Sequence, residues 1–155
     1  MILGKSYLGN TEVVKMYLGN TLVYSAGNPN LITNGTFNIN ISGWSNNGAV
    51  FSWNPLGYFN IVNTEIAKGA YQSFTTEIGV TYKASANSIG GSPSTRMIRC
   101  GNGTVPDAGI ATSVTETDSV LHELTFTATS TTSYIYLRQL STGNINWDNV
   151  EVKEI

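Results

Sequence analysis

The chain has 155 residues, with eight Lys and Arg against ten Asp and Glu, and only 12% of it is charged; it fits one domain with a short appendage and lacks the basic surplus that grips nucleic acid. A single cysteine, Cys100, excludes an internal disulfide framework, a thiolate zinc cluster and a CxxC redox pair, and a single histidine, His122, excludes a two-histidine metal site within one chain. With 41% hydrophobic residues, sixteen glycines and polarity drawn from Ser, Thr and Asn, the composition is that of a folded, turn-rich domain with an ordinary core.

No stretch approaches the ~18 apolar residues of a membrane span, and Gly4 and Lys5 interrupt any apolar leader. Neither a membrane nor a nucleic acid is therefore expected among the partners.

Chain order begins with a repeat. Lys5-Ser6-Tyr7-Leu8-Gly9-Asn10-Thr11-Glu12-Val13-Val14 is followed at once by Lys15-Met16-Tyr17-Leu18-Gly19-Asn20-Thr21-Leu22-Val23-Tyr24, with Lys, Tyr, Leu, Gly, Asn, Thr and Val in common. Each unit places Gly-Asn, which accepts positive φ, between two β-prone runs and so predicts a small hairpin. Two such hairpins cannot bury an apolar face alone. Residues 1–25 are accordingly expected to be a docking arm, using Tyr7, Leu8, Val13, Tyr17, Leu18 and Val23 against a second copy or another protein. Residues 26–30, small and polar around Pro29, read as a linker, and residues 31–155 as the main domain.

Downstream, β runs over 49–53, 58–62, 69–75, 80–88, 95–100, 121–128, 133–139 and 146–153 alternate with Gly/Asn/Ser/Thr clusters. That rhythm predicts an all-β sandwich or barrel. Within Tyr134-Ile135-Tyr136-Leu137-Arg138 the period is two, so Ile135 and Leu137 share one face and Tyr134, Tyr136 and Arg138 the other. No segment sustains helical periodicity, although 118–122 allows a short helical turn.

Several of these residues resemble a known pattern. Asn30-Leu31-Ile32-Thr33-Asn34-Gly35-Thr36-Phe37 and Ser42-Gly43-Trp44 look like the opening of carbohydrate-binding-module jelly rolls of the family 4/9 type. Gly69-Ala70-Tyr71-Gln72-Ser73-Phe74, the run from Glu77 to Ala86, Phe126-Thr127-Ala128 and Trp147-Asp148-Asn149-Val150-Glu151-Val152 resemble the later strands in order. The resemblance covers about residues 30 to 155 and implies an antiparallel jelly-roll sandwich with Trp44 and Trp147 buried. The tandem Tyr-Leu-Gly-Asn-Thr units, in turn, resemble N-terminal repeats in structural proteins of tailed bacteriophages, which implies a virion protein assembled in the host cytoplasm.

Catalytic chemistry has little to stand on. His122 lies in an alternating strand start, and neither Asp148 with Glu151 nor Glu116 with Asp118 forms a recognisable carboxylate pair. Cys100, next to Arg99, reads as a partly buried, inert thiol. No cofactor is expected apart from a structural calcium ion, which the resemblance implies between the opening and closing strands, with Asn34, Asn38 and Asp148 in the matching stretches. Asn38 stands where the pattern carries an acid, so one ligand charge is missing. The other reading of Asp148 is that it accepts backbone amides of the opening strand and pins the two ends together.

Sugar binding needs aromatic faces beside planar hydrogen-bonding groups. Trp53 and Tyr58 flank the turn at 54–57, and Tyr136, Arg138 and Gln139 lie on one strand; these five are the candidate glycan residues. The expectation is a non-enzymatic virion structural protein, a homo-oligomeric capsid-decorating or tail-associated module seated on other virion proteins by its arm. The competing expectation is a glycan-binding host-attachment protein.

Overall fold

The structure, a computed structural model, describes residues 28–91, 95–102, 109–115 and 117–155 and, as backbone alone, the strand residues 7–8, 11–12, 15–18 and 21–25. In the N-terminal repeat, β1 (Tyr7–Leu8) pairs with β2 (Thr11–Glu12), and β3 (Lys15–Leu18) with β4 (Thr21–Ser25). Leu8 faces Thr11 and Leu18 faces Thr21, while the Gly-Asn pair expected to turn in each unit lies outside the described residues. Of the expected docking residues, Val13 lies outside the described ones.

The main domain is a sandwich of two five-stranded antiparallel sheets. The strands are β5 (Ser45–Asn47), β6 (Val50–Asn54), β7 (Tyr58–Asn63), β8 (Lys68–Thr75), β9 (Thr81–Ile89), β10 (Arg96–Gly101), β11 (Gly109–Thr112), β12 (Val120–Thr127), β13 (Thr132–Gln139) and β14 (Gly143–Glu154). The first sheet runs β11-β10-β13-β8-β5 and the second β12-β9-β14-β7-β6. All eight predicted runs are strands. The helical turn allowed at 118–122 is absent: Val120 already pairs with Ser88, and Leu121, Glu123 and Thr125 alternate outward while His122, Leu124 and Phe126 turn inward. No helix among the described residues is long and apolar enough to cross a membrane.

Alternation builds the core. Ile98, Cys100, Ile135, Leu137 and Ala70 of the first sheet meet Phe59, Ile61, Ala84, Ala86, Ile145, Trp147 and Val152 of the second, all buried. Trp44 is buried as expected, within 5.7 Å of Phe37 and 5.6 Å of Phe59 between ring centroids. Trp147 is fully buried, with its ring 5.3 Å from that of His122.

The opening segment is fastened to the closing strand, but Asp148 is not the fastener. Between Asp148 and Glu151 the β14–β9 register slips by a β-bulge with Asn149 at φ 51°, which frees the backbone of Val150 from the ladder. Val150 N–H then donates to Gly35 O at 2.9 Å, and Val150 O accepts from Asn30 Nδ2 at 3.1 Å. Asn30 Oδ1 also accepts from the backbone amides of Ile32 at 3.0 Å and Val152 at 2.9 Å, beside a Leu31 N–H to Val152 O bond of 2.8 Å. A Cβ on Gly35 would lie 2.1 Å from Val150 O, so only glycine permits this approach. Asp148 Oδ1 instead accepts from its own neighbour, Asn149 N–H, at 2.7 Å.

Candidate functional site

Residues directly opposite in an antiparallel ladder share a face, so the registers determine what each sheet shows to the outside. Across the first sheet one rung runs Ser45–Tyr71–Tyr136–Arg99–Thr112, one residue from each of the five strands. On one side of it lies Asn47–Gly69–Arg138–Met97, and on the other Ser73–Tyr134–Gly101–Gly109. Their in-sequence neighbours Ala70, Gln72, Ile98, Cys100, Ile135 and Leu137 point into the sandwich, so these three rungs form the sheet's outer face.

Three tyrosines occupy the middle of that face. Ring centroids are 5.8 Å apart for Tyr71 and Tyr136, 6.1 Å for Tyr71 and Tyr134, and 6.4 Å, stacked, for Tyr134 and Tyr136. Tyr71, Tyr134 and Arg99 are half-buried, whereas Tyr136 is covered by its neighbours. Among the described residues the Tyr136 hydroxyl is buried with no hydrogen-bond partner. Burial foremost, then Tyr134, Tyr71 and Cys100, hold its proton well above the usual tyrosine range, against the opposing pull of the Arg99 guanidinium. That guanidinium lies over Gly109, where a Cβ would come 2.5 Å from Arg99 Nε.

The five sequence candidates for a glycan site do not converge. Tyr136 and Arg138 lie together on the outer face just described. Gln139 points the other way and is fully buried, its Nε2 donating to Ile61 O of the second sheet at 3.1 Å. Trp53 and Tyr58 belong to the second sheet, and although they flank one turn they lie on opposite sides of it. Trp53 pairs with the core residue Phe59 and donates from Nε1 to Phe37 O at 2.7 Å, closing the sandwich edge, while Tyr58 pairs with Asn54 on the outer side. Sequence reasoning passed over Tyr71 and Arg99, whose outward aim was available from the alternation of buried Ala70, Gln72 and Phe74 and of Ile98 and Cys100.

The calcium candidates are each engaged within their own segment. Asn34 Nδ2 donates to Asn40 O at 2.7 Å, Asn40 Oδ1 at 3.0 Å and Ser42 O at 3.2 Å, which closes the loop after the opening strand. Asn38 Nδ2 donates to Thr36 Oγ1 at 3.2 Å. Burial raises the Asp148 carboxyl above its ordinary range, opposed by the Asn149 amide. At Asn34 the converging oxygens of Asn40 and Ser42 are met by an amide donor, Nδ2.

The nucleophile and base candidates are structural. Cys100 is fully buried, and burial pushes its thiol upward, which removes thiolate chemistry. His122 is buried between the sheets, with Nε2 3.0 Å from Ser88 Oγ and Nδ1 3.4 Å from Ser113 Oγ. Ser113 Oγ also accepts from Ile98 N–H at 3.0 Å. Nearby, buried Arg96 donates from Nη1 to Gly90 O at 2.9 Å and from Nη2 to Thr117 O. Of the carboxylate pairs weighed in the sequence, Glu116 lies outside the described residues, and Glu151 takes Lys153 at 2.6 Å while Asp148 takes a backbone amide.

The outer face of the second sheet is polar. Asn60 Nδ2 donates to Asn146 Oδ1 at 2.8 Å and to Asn144 Oδ1, and Thr81 meets Thr127 at 3.2 Å. Its charges sit side by side as Lys83–Glu123 and Lys153–Glu151 pairs, each 2.6 Å.

No family model and no curated protein matches the chain. Solved structures do. The CBM22-1 xylan-binding domain from Paenibacillus barcinonensis Xyn10C superposes with a TM-score of 0.64 at 12% identity, over 85% of this chain and 98% of that one. The Clostridium thermocellum xylanase 10B CBM22-1-GH10 modules give 0.60 at 18% identity over 78% of this chain. The enzymatically active domain of bacteriophage CBA120 tailspike protein 4 gives 0.55 at 15% over 81%. This chain spans 28% of the xylanase chain and 21% of the tailspike chain. At these identities the likeness is one of fold: an antiparallel jelly-roll sandwich of the kind found in carbohydrate-binding modules.

Proposed function

We propose that the chain is a non-enzymatic glycan-binding module whose ligand lies along the outer face of the first sheet. The observation that carries this reading is the middle rung, where Tyr71, Tyr136 and Arg99 stand side by side on three adjacent strands with Tyr134 one rung away. Sugar rings offer C–H faces that pack on aromatic rings, and a guanidinium beside them binds oxygens in a fixed direction. Ser45, Thr112, Asn47 and Ser73 surround these groups with further donors and acceptors. The solved neighbours named for carbohydrate or xylan binding support the same reading.

The test is gel electrophoresis through a panel of dissolved polysaccharides. Wild-type protein is expected to be retarded by at least one polymer, and Tyr71→Ala to weaken that retention about tenfold with the circular dichroism spectrum unchanged. Trp53→Ala, whose ring closes the sandwich edge, should leave it intact. Unretarded wild type on every polymer would sink the reading.

A second reading, a virion structural protein docked through residues 1–25 as a homo-oligomer on other virion proteins, is favoured by the two tandem antiparallel strand pairs and by the tailspike among the structural neighbours. The two readings are compatible in one molecule, the arm seating a module that binds sugar outside. Removing residues 1–25 should leave a folded monomer where the full chain elutes as an oligomer or sediments with particles. A truncated chain that unfolds would place the repeat in the core and remove the division at 26–30.

A further inference from the structure

Each sheet of the sandwich has two edge strands, and an open edge is a row of unpaired N–H and C=O groups that natural proteins cover or keep short. In the first sheet the edges are short: β5 has three residues, and β11 has four and joins β10 through a bulge. In the second, β6 has five residues, and Trp53 closes it against Phe37 O. β12 is different. It runs eight residues beside β9 with no break in register, contains no proline, and pairs with no strand on its other side among the described residues. Ala128 N–H donates to Val80 O at 2.9 Å, which sets the phase of the ladder: Val120, His122, Leu124 and Phe126 turn their backbone groups to β9, and Leu121, Glu123, Thr125 and Thr127 turn theirs to the open edge. The Ile155 N–H to Thr81 O bond, on the far side of β9, has the same phase.

Side chains along that edge are self-complementary. On the outer face Thr125, Lys83 and Lys153 form one rung, and Glu123, Ser85 and Glu151 form the next. Within a copy the charges already pair across these rungs, Lys83 with Glu123 and Lys153 with Glu151, at 2.6 Å each. A second β12 laid antiparallel against the first uses all four open residues in one register alone, Leu121 opposite Thr127 and Glu123 opposite Thr125, which gives about eight backbone hydrogen bonds, two to each pair. Each anionic rung then continues into the cationic rung of the other copy. Sliding by two residues shortens the ladder and, according to direction, sets Glu123 against Glu123 or joins the two lysine rungs, so length and charge select the same register.

We propose that the open edge of β12 is a contact between two copies of this chain, which join as a two-fold dimer with one continuous sheet across both. Leu124 meets its own counterpart at the axis on the inner face, and His122 stands opposite Phe126. A hollow of about 200 Å³ beside this edge, lined by Ser113, Val114, Val120, Leu121, His122 and Glu123, leaves Leu121 53% exposed. Thr127 of the second copy comes to that end of the strand and covers Leu121. The axis stands perpendicular to the shared sheet, so the outer faces of both first sheets look the same way, which on the glycan-binding reading gives one dimer two faces for one polymer. The contact does not use residues 1–25: where the arm is the only link between copies its removal leaves a monomer, and where β12 also links them a dimer remains.

Sedimentation of the full chain over a wide range of concentration tests the contact, and self-association is expected. Thr125→Pro removes an N–H that faces the open edge and serves no bond to β9, so it should weaken association about tenfold or more with the circular dichroism spectrum unchanged. Oxidation of a Leu121→Cys/Thr127→Cys double variant supplies a second measurement, independent of how the proline is tolerated. These positions face each other between copies at a separation a disulfide spans, and Cys100 is buried, so a cross-linked dimer should form that Leu121→Cys alone does not give. A full chain that stays monomeric at every concentration would overturn the proposal. Association undiminished in Thr125→Pro, with no cross-link in the double variant, would also overturn it and assign the association to residues 1–25. Neither result touches the glycan site on the first sheet.

Discussion

Asn30→Ala is expected to lower the stability of the sandwich by about 2 to 3 kcal/mol, more than any substitution at Asp148. One side chain serves three backbone groups there. Its Oδ1 takes the amides of Ile32 and Val152, and its Nδ2 gives to Val150 O. Alanine leaves all three without that partner in a seam that is partly buried, and water reaches only some of them. Asp148→Ala loses a single bond to the next residue's amide and should cost under about 1 kcal/mol. Urea unfolding of the two variants beside wild type decides the matter. Equal midpoints for Asn30→Ala and wild type would show that the backbone bonds of Leu31 and Val150 suffice to close the seam.

Acid should weaken the fold through His122 before the carboxylates contribute. Burial, joined by the charge of Arg96 and opposed by the Val114 carbonyl, lowers the imidazole pKa from 6.5 to about 4. In the unfolded chain the same ring takes its proton near pH 6.5. Between these values the unfolded state binds a proton that the folded state refuses, so stability is complete above pH 6.5, falls as the pH drops, and levels off below about 4. The loss across this window is about 2 kcal/mol, the full shift being discounted for residual solvent screening. Thermal unfolding at pH 7.5 and 4.5 should show it, and His122→Gln should flatten the dependence. An identical acid shift in variant and wild type would clear His122 of the effect.

How far the sequence could be read varies with the physics involved. Long alternating runs such as 133–139 disclose both strand and face, because the period of two is a local property. β5, made of Ser45, Asn46 and Asn47, and β11, Gly-Ile-Ala-Thr, escaped notice because three or four residues without apolar alternation look like loop until a neighbouring strand pairs with them. The candidate site was half legible. Tyr136 and Arg138 were placed on one face by period alone, but Tyr71 and Arg99 join them only through the registers of β8 and β10, which depend on tertiary pairing. Trp53 and Tyr58 misled for the converse reason: proximity at a turn says nothing of face, and the β6–β7 register sends them to opposite sides.

The seam at Asn30 also determines how the domain would bear a pull. A tether drawn at the N-terminal arm delivers its tension to Asn28 and Asn30, which hold Glu154 O at 2.6 Å and both the carbonyl of Val150 and the amide of Val152. Those atoms belong to β14, the longest strand at 12 residues and the middle one of its sheet, laddered to β9 on one side and β7 on the other. Tension entering there is shared by two ladders of hydrogen bonds loaded in parallel instead of being opened one bond at a time from an edge. A ligand held on the opposite sheet would then be gripped by a body that resists shear, with its weakest link in the side chain of one asparagine.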